Sequence, residues 1–240
     1  MSPTHNVLVP FELPDAEPVP PVLVDTLATM EVVVLGHYGL PEQTPPSAGR
    51  AQFEADATAE LETLAQPFER AGITTTTRLV FGKAREKTVD RVAVEEGCDV
   101  ILSPGRADSV DRIAVPLRGE ANLDRIVSFV GDLLAASDAS VTLFHTAQSS
   151  DRRPGEELLA DATDRLVDSA VAADRIDSRL STDDDVGRSI VELGADFDVL
   201  VLGETEPSLR ERILGTVPAQ VTADTNDPAF VVRNVEGAEP

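Results

Sequence analysis

One order of segments runs through this chain twice, and it restricts the fold more than any single motif does. Continuous apolar runs alternate with helical stretches, and after about a hundred residues the order starts again, too long a period for a solenoid. The first copy opens with VLVPF (7–11) and MEVVVLGHY (30–38), short apolar runs of the kind buried on both faces of a parallel sheet. Between 48 and 72, Phe53, Ala57, Leu61, Leu64 and Phe68 recur at three and four residues, one apolar face of a helix that Gly72 closes. ITTTTRLVF (73–81) is β-branched and alternating, hence a strand. EKTVDRVAVEEG (86–97) is a short helix, and CDVILSPG (98–105) a strand that ends in a turn.

The second copy begins at VDRIAVPLRGE (110–120), which repeats the Val-Pro run of residues 7 to 10. NLDRIVSFVGDLLAAS (122–137) is an amphipathic helix with Asn122 placed to cap it. SVTLFHTA (140–147) answers VVVLGHYG, each with a histidine near the strand end. A helix (156–173), a strand (176–182), a helix (186–197) and the strand DVLVLG (198–203) follow, and PAFVVRN (228–234) adds a last strand that the first copy lacks. Repeated strand–helix alternation gives a parallel sheet with helices on both faces. The expected class is α/β, with two tandem doubly wound parallel-sheet domains at 1–109 and 110–240. The first is truncated: it lacks a fifth strand, and the proline-rich LPDAEPVPP (13–21) stands where its first helix belongs, so that helix is lost or shortened.

Charge restricts the partners. Forty-three acidic residues against 20 basic give a net charge of −23, and the only lysines are Lys83 and Lys87. Such a surface repels nucleic acid and anionic lipid. Acid spread between apolar runs, with few lysines and few aromatics, suggests a salt-rich cytosol, because a Debye length of about 3 Å at molar salt screens the self-repulsion. No apolar run is long enough for a membrane span, and the N-terminus lacks a signal-peptide pattern. With Cys98 the lone cysteine, the expectation is a cytoplasmic protein.

The second copy resembles the universal stress protein family. IAVPLRG matches its opening strand, LFH its second, DVLVLGE its fourth, and LGTV followed by PAFVVR its glycine signature and closing strand. The likeness covers 110–234 and, more weakly, 5–105. It implies a five-stranded parallel fold of the adenine-nucleotide α-hydrolase-like group. In nucleotide-binding members the first strand's acidic residue and proline flank the base, and a glycine loop after the fourth strand approaches the phosphates. Carried onto this chain, the ATP residues would be Pro116, Arg118, Gly119, Gly203, Gly215, Thr216 and Val217, with Thr216 serving equally as a helix N-cap. Several positions depart from that pattern. Glu206 falls on the second glycine, the spacer to Gly215 is a residue short, and Arg118 replaces the usual aspartate. In the first copy Glu12 holds that position and the glycine loop is missing. A carboxylate about 4 Å from a phosphate costs roughly 4 kcal/mol at an effective dielectric of 20.

The expected function is therefore a non-enzymatic stress-response or regulatory binding protein with a degenerate nucleotide site and no cofactor. The alternatives are an ATP–magnesium switch or slow ATPase in the second domain, and a cytoplasmic regulator of a membrane transporter. No catalytic or metal residues are expected. His37 and His145 read as core or hydrogen-bonded histidines, Asp183, Asp184 and Asp185 as a solvated turn, Cys98 as an inert thiol, and Arg210 and Arg212 as surface ion-pairing groups. The unpaired fifth strand suggests a homodimer through 228–234, since family members often pair this strand with its own copy.

Overall fold

A computed structural model describes residues 5–120, 122–147, 152–182, 196–204 and 228–234. Its contacts divide the chain after Leu102 into two units.

In the first unit, strands β1 (Asn6–Leu13), β2 (Glu31–Gly39), β3 (Thr74–Gly82) and β4 (Val100–Ser103) lie in the order β3-β2-β1-β4, with every pair parallel. The Val- and Leu-rich runs are buried because helices cover both faces: α1 (Pro21–Thr26), α2 (Pro46–Arg70) and α3 (Arg85–Glu95). Ala57, Leu61, Leu64 and Phe68 are the buried stripe of α2, and Phe53 stacks on Tyr38 with ring centroids 5.1 Å apart. Gly36 leaves room for Leu13 and for Leu61 of α2, since a Cβ there would stand 2.8 Å from Leu13 Cδ1 and 3.1 Å from Leu61 Cδ1. The helix that follows the proline-rich segment is short, only 6 residues.

The second unit has strands β5 (Arg112–Pro116), β6 (Ser140–Thr146), β7 (Ile176–Ser181), β8 (Val199–Gly203) and β9 (Ala229–Val232). They lie parallel in the order β9-β8-β5-β6-β7. Helices α4 (Leu123–Ala135) and α5 (Arg153–Asp168) pack with them, and Phe129 of α4 meets Phe230 edge-on at 5.1 Å. The helix expected at 186–197 lies almost wholly outside the described residues.

Two local expectations change. Asn122 stands at the N-cap position of α4, but its backbone is left-handed (φ 65°) and its side chain makes no cap hydrogen bond. Its Nδ2 donates instead to the Val232 carbonyl at 3.0 Å, tying the start of α4 to the end of β9. The helix expected over 156–173 runs from Arg153 to Asp168, because Ala170 turns left-handed (φ 67°) and ends it.

One device occurs in both units. The residue before β4, Asp99, accepts the Asn6 amide at 2.9 Å, while its own amide donates to the Asn6 carbonyl. Before β8, Asp198 accepts the amides of Asp111 and Arg112, both at 2.9 Å, and donates to the Arg112 carbonyl. Each aspartate fixes the register of its own strand against the unit's first strand.

Candidate functional site

In an open parallel α/β sheet, ligands bind beyond the carboxyl ends of the strands where the strand order reverses. In the second unit that point lies between β5 and β8, because the chain runs from β5 outward through β6 and β7, then returns to the other side of β5. Pro116 ends β5 and Gly203 ends β8, so two of the seven expected nucleotide residues stand at the crevice. Arg118 and Gly119 follow on the loop from β5, Arg118 exposed and Gly119 with open space where a Cβ would be. Gly215, Thr216 and Val217 lie outside the described residues, as do Glu206, Arg210, Arg212 and Asp183 to Asp185.

Packing bears on Gly203 as well. A Cβ there would stand 2.8 Å from Ile126 Cδ1, and Ile126 is itself buried in the face of α4. The glycine gives the Ile126 side chain room against the end of β8, a use separate from phosphate approach. Beside it the strand end carries charge. The Glu204 amide donates to the Val232 carbonyl at 2.8 Å. Glu204 Oε2 accepts the Asn234 amide at 3.1 Å and lies 3.7 Å from Arg233 Nε. Both side chains are largely sequestered, 17 % and 10 % exposed, so this pair is screened less than a surface one. Sequence reasoning missed it, because only the pairing of β8 with β9 brings residues 29 apart into contact. The DVLVLGE and PAFVVR matches placed the two strands but said nothing of their end residues facing each other.

The histidines divide. His145 Nδ1 lies 2.7 Å from the Leu117 carbonyl and donates to it, which makes this the hydrogen-bonded histidine expected at the strand end. The ring leaves no room at Gly155, where a Cβ would fall 2.5 Å from His145 Cδ2. His37 is in the core of the first unit, yet neither ring nitrogen has a hydrogen-bond partner among the described residues. Glu12 is its register partner on β1, with Oε1 4.0 Å from His37 Nδ1 and Oε2 3.3 Å from Arg85 Nε. Cys98 is buried, a position that suits an inert thiol. Among the described residues, no group of three or more His, Cys, Asp or Glu side chains could hold a metal ion, and no helix is long and apolar enough to cross a membrane.

The chain matches no protein-family model and no curated protein. It is similar in structure to a universal stress protein from Archaeoglobus fulgidus DSM 4304, at 12 % identity over 96 % of each chain, with a TM-score of 0.64. A functionally unknown protein from Pseudomonas aeruginosa PAO1 aligns over 97 % of this chain and 93 % of its own, at 13 % identity and a TM-score of 0.52. A universal stress protein in complex with cAMP aligns with 54 % of this chain and 99 % of its own, at 25 % identity and a TM-score of 0.41. Taken with the strand order of each unit, the likeness over nearly the whole chain gives this protein the universal stress protein fold.

Proposed function

We propose that the protein is a non-catalytic stress-response or regulatory binding protein whose nucleotide crevice in the second unit is degenerate. The observation that carries this reading is the end of β8, where Gly203 is taken up by Ile126 and the next residue sets a carboxylate against Arg233. A triphosphate approaching there would meet Glu204 instead of bare amides, and its charge would compete with Glu204 for Arg233. No acid–base or nucleophilic constellation among the described residues favours chemistry at this crevice.

A second reading keeps ATP with magnesium as the ligand, and the exposed Arg118 beside the open Gly119 favours it by offering a cation and a close backbone approach. One titration decides between them. Isothermal calorimetry with ATP and magnesium in concentrated KCl should give no saturable heat in the micromolar range. Saturable micromolar binding that Gly215→Asp abolishes would replace the first reading with the second.

A further inference from the structure

The first unit contains a buried polar side chain with nothing to bond. His37 is 1 % exposed, and both its ring nitrogens lack hydrogen-bond partners among the described residues. Burial holds its pKa below the ordinary histidine value; Glu12 opposes this and Arg85 adds to it. The ring is therefore neutral near pH 7, with one N–H to donate and one nitrogen to accept. Native interiors rarely leave such groups unused unless a water, an ion or a ligand completes them.

The Nε2 edge of the ring lies against Gly82, at the end of β3 where the chain turns into α3. A Cβ on Gly82 would lie 3.5 Å from His37 Nε2 and 3.7 Å from Thr88 Oγ1, so the glycine leaves an atom-sized notch beside both. The Thr88 hydroxyl donates to the Ala84 carbonyl at 2.9 Å. Helix α3 begins two residues beyond Lys83, and its N-cap residue Ala84 makes no side-chain cap hydrogen bond, so the helix start turns the positive end of its dipole toward an anion. In a chain of net charge −23, both lysines stand here, with Arg85 between them. Lys83 Nζ donates to the Glu42 carbonyl, and Arg85 Nη2 donates to the Pro10 carbonyl at 3.4 Å. Two carboxylates stand against an anion. Glu86 lies in the first turn of α3, and Glu12 pairs with Arg85 at 3.3 Å. Glu12 is 59 % exposed, free to swing into solvent.

We propose that the turn from β3 into α3 is a binding site for a phosphate-type anion, held by the first amides of α3, by Lys83 and Arg85, and by the Nε2–H of His37. Glu12 is the internal competitor: it occupies Arg85 when the site is empty and yields it when the anion arrives. This site is built from residues of the first unit alone and does not depend on how the crevice at β5 and β8 is read.

The test titrates the full chain in concentrated KCl with inorganic phosphate and, separately, with glycerol phosphate, by calorimetry and by the nitrogen shifts of the His37 ring. Saturable binding that moves the His37 signals is expected. Tighter binding of the monoester would mark a phosphorylated metabolite as the ligand, and equal or weaker binding would mark free phosphate. Arg85→Ala and Gly82→Ala should each weaken binding about tenfold. The added methyl at 82 meets its neighbours at ordinary contact distance, so that variant retains its fold. Glu12→Gln should tighten binding, which a merely structural Glu12 would not do. The proposal fails if wild type does not saturate, if saturation leaves the His37 signals unmoved, or if Gly82→Ala and His37→Phe, which keeps the ring volume but has no N–H, bind as tightly as wild type.

Discussion

Ala170 carries a methyl group in a conformation that suits glycine. Its φ is 67°, and the turn around it repeats, bond for bond, the one that closes α2. There Gly72 donates to the Glu69 carbonyl and Ile73 to that of Phe68; here Ala170 donates to Val167 and Val171 to Leu166. Both are helix ends of the Schellman type, whose left-handed position glycine fills without steric cost. An L-residue costs roughly 1–2 kcal/mol in that conformation, partly offset by its smaller loss of chain entropy. Ala170→Gly is therefore expected to stabilise the fold by about 0.5–1 kcal/mol, read as a raised urea midpoint at unchanged slope. A midpoint that stays or falls would show the turn to be unstrained. The same residue explains a misplaced boundary: with Gly72 the sequence advertised the end of α2, whereas Ala170 gave no stop signal, and the helix was expected to run on to 173.

The succession of strands and helices along the chain was legible because continuous apolar runs and three-four spacing each follow from burial, which the pattern of apolar residues encodes. What the sequence could not convey is which residues meet once the strands align. Glu204 with Arg233, and Glu12 with His37 and Arg85, exist only through cross-strand register and helix placement. Asn122 looked like a cap and became a tie to β9, since a polar amide serves either use and the backbone angle decides. The Asp99 clamp on β4 belongs to this scale, and its chemistry makes a pH prediction. Burial pushes the Asp99 carboxyl up, but hydrogen bonds from His5 at 2.6 Å and from the Asn6 amide outweigh it and hold the carboxyl below its ordinary value. A folded pKa below the unfolded one, roughly 4, gives stability that is present above that value and lost as pH falls through the folded pKa. Asp99→Asn should cost about 2 kcal/mol near neutrality, the scale of a hydrogen bond to a charged group. It should also flatten the decline in urea midpoint on the acid side. If wild type and variant lose stability in parallel below pH 4, the clamp is not the titrating element.

For the molecule as a whole, the deciding quantity is net charge. At −23 over 240 residues, folding concentrates acid that the unfolded chain keeps apart, and arginines already paired within their own units offset only part of it. In dilute salt the Debye length of about 10 Å at 0.1 M lets carboxylates on neighbouring elements repel; near 1 M it falls to about 3 Å and only contacts remain. Repulsion is thus screened well before the paired, partly buried charges such as Glu204 and Arg233 are weakened. The melting temperature should therefore climb steeply with KCl up to about 1 M and level off beyond it. Sodium chloride should give the same curve, because screening depends on ionic strength and not on which cation supplies it. Sulfate at equal ionic strength would add a further rise by strengthening apolar burial, and that increment separates the hydrophobic contribution from the electrostatic one. Calorimetric scans across the three salts measure both terms. A melting temperature that is flat or falling between 0.1 and 1 M KCl would mean that the acidic surface does not govern stability, and the case for a salt-rich cytosol would go with it.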